Sequence, residues 1–191
     1  MKMYLGFTGG TQIGSRLIQR LDSELIDGKR YPSLINHVLL HFVPDDGPDY
    51  IFQSFLNKGV HITLFSDIQK AVKAGRVIRY AEKRLTVLDH HWNFIFERMK
   101  KMEGRSYDAR LIILYYLWIR LSHRRADWIL KLNRKKSYTC NELVMKTTSC
   151  LAYPMPLAYD PQYTPARLFE LVFGVPSRVW FYDNPPVSWD D

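Results

Sequence analysis

Residues 33–62 read SLINHVLLHFVPDDGPDYIFQSFLNKGVHI, and this stretch decides the fold class. Apolar residues dominate positions 35–43 and predict a strand. The Pro, Asp and Gly cluster over 44–49 predicts a turn. Residues 50–56 should then return as a second strand, and a third should follow Gly59 over 60–65. Strands joined by such short connections run antiparallel, so the stretch predicts the middle of an antiparallel sheet.

Further elements are predicted on both sides of this stretch. Residues 3–8 predict a short strand that ends at Gly9-Gly10, and residues 76–80 predict another strand. Apolar residues recur at helical spacing in the following segments: 12–25, 66–74, 88–102, 107–132, 139–152 and, more briefly, 165–173. The fold class is therefore α+β, with an antiparallel sheet of about five strands packed against helices.

The length of 191 residues fits one domain, 1–191. We expect a helical insertion in it roughly over 88–132, and prolines at 154, 156, 161 and 165 predict an irregular, Pro-rich C-terminal segment over 153–191. The composition, with 47% hydrophobic and 24% charged residues, excludes a wholly disordered chain.

The sequence shows no export signal and no membrane span. The most apolar run, LIILYYLWI over 111–119, has nine residues, whereas a spanning helix needs about 20. Residues 1–7 lack the apolar stretch of a signal peptide. We therefore expect a cytoplasmic protein with reduced thiols.

Residues 137–144, SYTCNELV, carry the strongest catalytic signal. They predict a helix that Thr139 caps and that has Cys140 in its first turn. Unpaired backbone N–H groups and the helix dipole favour a thiolate there, so we expect a lowered pKa for Cys140. The same N–H groups can hold an oxyanion. The alternative is that Cys140 is a small buried apolar residue, which is the commonest state of a free cysteine.

The second cysteine, Cys150, lies among apolar residues late in the same predicted helix and is expected to be structural. Ten helical residues separate the two sulfurs by about 15 Å, which is too far for a disulfide.

A general base has to come from the six histidines. Alternation along the predicted strand puts His37 and His41 on one face. Four strand residues span about 13 Å, so these two cannot bind one metal ion. With no other cluster at ligand spacing, neither a metal nor a cofactor is expected. His90, His91 and His123 are expected at the surface.

These segments, in this order, resemble the circularly permuted papain-like cysteine hydrolases. The resemblance is to the YiiX-like branch of the NlpC-type superfamily, which is related to lecithin–retinol acyltransferase-like proteins. It rests on a histidine that opens a strand (SLINHVLLHF), a strand that ends before Gly-Val (YIFQSFLNKGVHI), and Tyr-x-Cys-x-Glu-Leu-Val on a late helix. The opening MYLGFTGGTQIGSRLIQRL, Gly104 with Tyr107-Asp108, and Tyr163-Thr164-Pro165 are also similar to segments of that family.

The resemblance implies a permuted papain-like fold with Cys140 as nucleophile and His37 as general base. In the family a Glu or His at the end of the next strand orients the imidazole, whereas this chain has Gln53 there. Gln53 can accept from the imidazole but brings no charge. Ser54 stays open as the third member, because a slip of one residue in strand register would exchange the two faces.

The implied function is hydrolysis of an amide or ester bond through a thioester, and the implied substrates are peptides, cell-wall cross-links or lipid acyl groups. Acyl transfer on the same dyad is an alternative within this chemistry. A papain-like interaction module without catalysis is another, because Gln53 is uncharged. Residues 120–136 carry seven Lys/Arg against one acid, which leaves binding of nucleic acid as a fourth interpretation, less favoured than a solvated helix face. The glycine-rich segment 8–15 lacks the Lys of a phosphate-binding loop.

Overall fold

A computed structural model describes residues 1–108, 114, 137–151 and 164–184. Nine strands occur in these ranges: β1 (Lys2–Gly10), β2 (Ser23–Ile26), β3 (Lys29–Pro32), β4 (His37–Val43), β5 (Tyr50–Phe55), β6 (Gly59–Leu64), β7 (Val77–Leu85), β8 (Ser106–Tyr107) and β9 (Ser137–Tyr138). Six helices occur in the same ranges: α1 (Ile13–Leu21), α2 (Phe65–Lys73), α3 (Asp89–Met102), α4 (Cys140–Thr147), α5 (Pro165–Phe173) and α6 (Ser177–Asp183).

The central sheet has five strands in the order β6-β5-β4-β1-β7, and each neighbouring pair is antiparallel. The prediction of an antiparallel sheet of about five strands combined with helices is thereby confirmed. The first strand, β1, lies inside the sheet and pairs with both β4 and β7. In its pairing with β4, Thr8 lies opposite His37, which places His37 at the end of the sheet.

The sheet buries different sets of apolar side chains on its two faces. On one face, Val38, Leu40 and Phe42 pack in a large cluster with residues of α3, α4 and α5. On the other face, Leu39 packs in a smaller cluster that includes residues of α2. Both clusters follow from the alternation of side chains along the fully apolar centre of β4.

The segment after α1 differs from the prediction. A helix was expected over 12–25, but α1 ends at Leu21, and residues 23–32 form the β2–β3 hairpin. Asp27 and Gly28 both have positive φ, 50° and 74°, as a two-residue hairpin turn with native twist requires. Leu25 is 65% exposed, so the apolar spacing that predicted a longer helix was wrong at this residue.

Other boundaries also differ from the prediction, and β7 runs on to Leu85 where the predicted strand ended at residue 80. Tyr107 belongs to β8, which pairs in parallel with β9, and does not begin a helix. The helix predicted over 139–152 ends at Thr147. The short helix predicted over 165–173 is confirmed as α5, but α6 follows it in a segment that was expected to be irregular.

The remainder of the predicted helix 107–132, apart from residue 114, lies outside the described residues, and so do about half of the proposed insertion and the whole basic run 120–136. The prolines at 154, 156 and 161 also lie outside them. None of the helices in the described ranges is long and apolar enough to cross a lipid bilayer.

Candidate active site

The first residue of α4 is Cys140, as the sequence predicts. The Thr139 side chain caps the helix by accepting a hydrogen bond from the Glu142 backbone N–H at 3.3 Å. Such a cap satisfies one of the unpaired N–H groups of the first turn. The helix start therefore holds Cys140 in a fixed place at the end of the sheet.

Two contacts fix this helix start, one to β5 and one to Asp108, the residue that follows β8. The Ser54 hydroxyl donates to the Tyr138 carbonyl at 2.9 Å. The Ser137 hydroxyl donates to the Asp108 carboxylate at 2.9 Å. Ser54 thus holds the segment that precedes Cys140, and its side-chain hydrogen bond goes to that segment rather than to His37.

The thiol of Cys140 is buried, with 3% of the residue exposed. Burial raises its pKa from the ordinary value to about 11, although backbone N–H groups of Val38, Asn141 and Cys140 itself act in the opposite direction. The negative charge of Asp22 raises the pKa further. The expectation of a lowered thiol pKa was therefore wrong, because removal from water outweighs the helix start.

His37, the first residue of β4, is held by Gln53 and stacks on Phe55. Its Nε2 lies 3.3 Å from the Gln53 Oε1. The centroid of its ring lies 4.4 Å from that of the Phe55 ring. The Gln53 amide donates from its Nε2 to the Thr63 hydroxyl at 3.1 Å, which leaves the amide oxygen facing the imidazole. A carbonyl oxygen only accepts, so His37 carries its proton on Nε2 and keeps the lone pair on Nδ1.

The imidazole of His37 is neutral at pH 7. Burial lowers its pKa to about 4; the hydrogen bond with Gln53 raises it, and the charge of His61 lowers it. A neutral imidazole with a free lone pair is the form that a general base requires.

The three predicted site residues are not all in mutual contact. Gln53 and His37 are hydrogen-bonded, whereas the thiol of Cys140 faces the Val38 backbone and makes its side-chain hydrogen bond with the Asn141 Oδ1 at 3.5 Å. Strand alternation explains this arrangement, because α4 packs on the face of Val38 and the His37 side chain belongs to the opposite face. Cys140 is therefore next to the backbone that follows His37, not beside its ring.

A cleft of about 1020 Å³ lies on the His37 side of the sheet. Its polar lining includes His37, Gln53, Ser54, His61, Thr63 and Tyr107, and Cys140 is not part of the lining among the described residues. The cleft is large enough for a small-molecule or peptide ligand.

The other histidine of β4, His41, belongs to a separate network. Its Nδ1 lies 3.0 Å from Glu82 Oε2 and its Nε2 lies 3.3 Å from Asp49 Oδ2. Its ring stacks on Phe65 with 4.1 Å between centroids. Within the described ranges no group of three or more His, Cys, Asp or Glu side chains is arranged to hold a metal ion.

Two residues near the site were missed by sequence reasoning. His61 lines the cleft, and the available signal was its place just after Gly59 in the segment that carries the family resemblance. Asp22 is buried, and its charge acts on Cys140. It gave no signal, because the sequence placed it inside a predicted helix.

No protein-family model and no curated protein matches this chain. What the site can do therefore has to follow from its own geometry and chemistry.

Proposed function

We propose that this protein is a cysteine hydrolase that cleaves an amide or ester bond with Cys140 as nucleophile and His37 as general base. The observation that carries the proposal is the position of Cys140: a free thiol at a capped helix start, against the backbone of the residue that follows a Gln53-bound imidazole. A nucleophile, a base and a group that orients the base are the parts that such catalysis needs.

We further propose a permuted papain-like fold. The histidine strand precedes the cysteine helix in the chain, and α4 packs on β4 and β5. The packing of α4 on the histidine strand supports the resemblance drawn from the sequence, and the resemblance implies peptides, cell-wall cross-links or lipid acyl groups as substrate classes.

The proposed reaction begins with a neutral thiol and a neutral imidazole. Cys140 Sγ attacks the carbonyl carbon while its proton passes to His37 Nδ1, and backbone N–H groups at the start of α4 stabilise the oxyanion. The bond to the leaving group then breaks, and the leaving atom takes the proton from His37. Water next attacks the thioester carbon and gives a proton to His37. The C–S bond then breaks, the carboxylic acid is released, and the Cys140 sulfur takes the proton back from His37. The first step requires Nδ1 to reach Sγ by a direct hydrogen bond or through one water. Since the thiol faces the Val38 backbone and the His37 ring is bound to Gln53, the side chains have to change rotamer before this step.

A covalent labelling experiment tests the proposal. In a Cys150→Ala background, Cys140 is the sole thiol, and peptidyl and acyl vinyl sulfones report its reaction by mass spectrometry. We expect labelling that falls at least tenfold in His37→Ala, because the base is lost. His90→Ala is the matched control, because His90 is exposed. Labelling that is absent, or unchanged by His37→Ala, would contradict the proposal.

One observation favours a second candidate, a papain-like interaction module without catalysis. The Cys140 thiol is buried with a pKa of about 11, and the residue hydrogen-bonded to the His37 imidazole is the uncharged Gln53. Such a thiol reacts slowly with every electrophile near neutral pH. This candidate predicts that iodoacetamide labels the half-buried Cys150 before Cys140 and that His37→Ala leaves both rates unchanged.

Acyl transfer differs from hydrolysis only in the acceptor that reaches the thioester. Hydroxylamine added to a cleaved amide or ester substrate separates the two, since a transferase yields mainly the hydroxamate. Binding of nucleic acid through residues 120–136 stays a prediction, and its sign is an affinity that falls steeply as salt rises.

A further inference from the structure

The cleft that His37 lines holds a second imidazole, His61. It lies on β6 directly opposite Gln53 of β5, and Gln53 in turn holds His37. The three polar side chains therefore form a row across adjacent strands on one face of the sheet. When His61 is protonated, its charge also lowers the pKa of His37.

A backbone hydrogen bond fixes the tautomer of His61. Its Nδ1 lies 2.9 Å from the Gly59 carbonyl oxygen. Because a carbonyl oxygen only accepts, Nδ1 carries the proton and Nε2 carries the lone pair in the neutral ring. No described residue donates to this Nε2, and the side chain is half-buried in the lining of the cleft.

The backbone that anchors His61, at Gly59 and Val60, is packed and hydrogen-bonded against residues 104 and 105. Gly59 has φ +67°, and a Cβ there would lie 2.1 Å from the Arg105 carbonyl oxygen, so only glycine fits. On either side of this contact, the Val60 N–H donates to Arg105 at 2.8 Å and the Gly104 N–H donates to Val60 at 2.9 Å. The Gly59 carbonyl is therefore held in place, and the imidazole that it anchors has a fixed direction.

We propose that His61 is a specificity-determining residue whose Nε2 accepts a hydrogen bond from the N–H of an amide substrate, so that the site favours amides over esters. This inference rests on the proposed function. When the C–N bond breaks, the leaving nitrogen takes its proton from His37, and an N–H held by His61 keeps the nitrogen lone pair turned toward His37. An ester has an oxygen in place of this N–H. The lone pairs of that oxygen face the lone pair of His61 Nε2, so no hydrogen bond forms between them.

The substitutions that test the inference exploit the two ends of the ring. In His61→Asn the amide nitrogen stands where Nδ1 stands and can still donate to Gly59, while the acceptor in the cleft is removed. In His61→Gln the amide oxygen reaches the position of Nε2 and supplies an acceptor again. The pair separates the anchoring bond from the atom that faces the cleft.

Binding is measured by calorimetry in a Cys140→Ala background, so that no turnover occurs. The two probes are N-acetyl-trialanine and the depsipeptide in which an ester oxygen replaces its central N–H. We expect the parent His61 to bind the amide roughly three- to tenfold more tightly than the ester, the effect of one neutral hydrogen bond. His61→Asn should lose this preference at an unchanged melting temperature, and His61→Gln should regain part of it.

Equal affinities for the two probes in the parent, or a preference that survives in His61→Asn, would overturn the inference whether or not either probe is cleaved. The proposed function fails on a different observation, the absence of His37-dependent labelling of Cys140. The two failures can therefore be told apart.

Discussion

Replacement of Asp22 by Asn should remove a pH-dependent cost of folding. Asp22 follows α1, is 5% exposed, and accepts a hydrogen bond from the Ala166 N–H at 2.9 Å. Burial raises its pKa from 3.8 to about 7; hydrogen bonds with Thr164 and Ala166 lower it, and the charge of Glu24 raises it. The folded chain thus holds a proton that the unfolded chain releases.

The sign and size of the effect follow from this difference. A carboxyl whose pKa is raised in the folded state contributes its full share of stability below pH 3.8, and this share is lost as the pH rises toward about 7. The full loss is about 4 kcal/mol, of which about 3 kcal/mol falls between pH 5 and pH 8. The Asn side chain reproduces the protonated carboxyl, since its oxygen accepts from Ala166 and its nitrogen donates to the Thr164 hydroxyl.

Urea unfolding at pH 5, 6, 7 and 8 measures the effect. The free energy of unfolding of Asp22→Asn, minus that of the parent, should grow by about 3 kcal/mol from pH 5 to pH 8. Asp46→Asn in an exposed loop is the matched control and should give a constant difference. A difference for Asp22→Asn that does not change with pH would refute the reasoning.

Two further predictions concern Gly59 and Gln53. Gly59→Ala should destabilise the fold by at least about 2 kcal/mol, because its Cβ would meet the Arg105 carbonyl at 2.1 Å. Gly28→Ala, with φ +74° and open space around the added Cβ, should cost only about 1 kcal/mol. Equal losses of unfolding free energy in urea would contradict the steric argument. Gln53→Glu should place a negative charge beside His37 and raise its pKa from about 4, so that the acidic limb of the rate of Cys140 labelling moves to higher pH; an unmoved limb would mean that Gln53 does not act on the imidazole.

The sheet was predictable because its signals are local. The turn residues over 44–49 and the apolar run of β4 specify the hairpin within a few residues of each other, and the structure follows them. The β2–β3 hairpin was missed although Asp27-Gly28 is a strong turn signal, because the helical spacing of the preceding residues was extended one turn too far.

For the candidate site, the sequence pointed to residues whose catalytic roles stay predictions. The sequence singled out Cys140, His37 and Gln53, and the structure shows a hydrogen bond between Gln53 and His37. The protonation states were not predictable, because they depend on burial, and burial depends on side chains far away in the chain, as with Asp22 and Ala166. The same holds for His61, whose lone pair direction is decided by a backbone carbonyl.

The place of β1 has a consequence for synthesis on the ribosome. Phe7 of this inner strand packs edge-on against Phe169 of α5 at 5.1 Å between centroids and against Phe173 at 5.8 Å. At ~5–20 residues per second, the partners of Phe7 are polymerised on the order of 10–30 s after it. Throughout that interval Phe7 lacks these two aromatic partners, although apolar residues of β4 and α3 in the same cluster are made earlier. Completion of the core is thus a late event that follows translation of α5 rather than a gradual one.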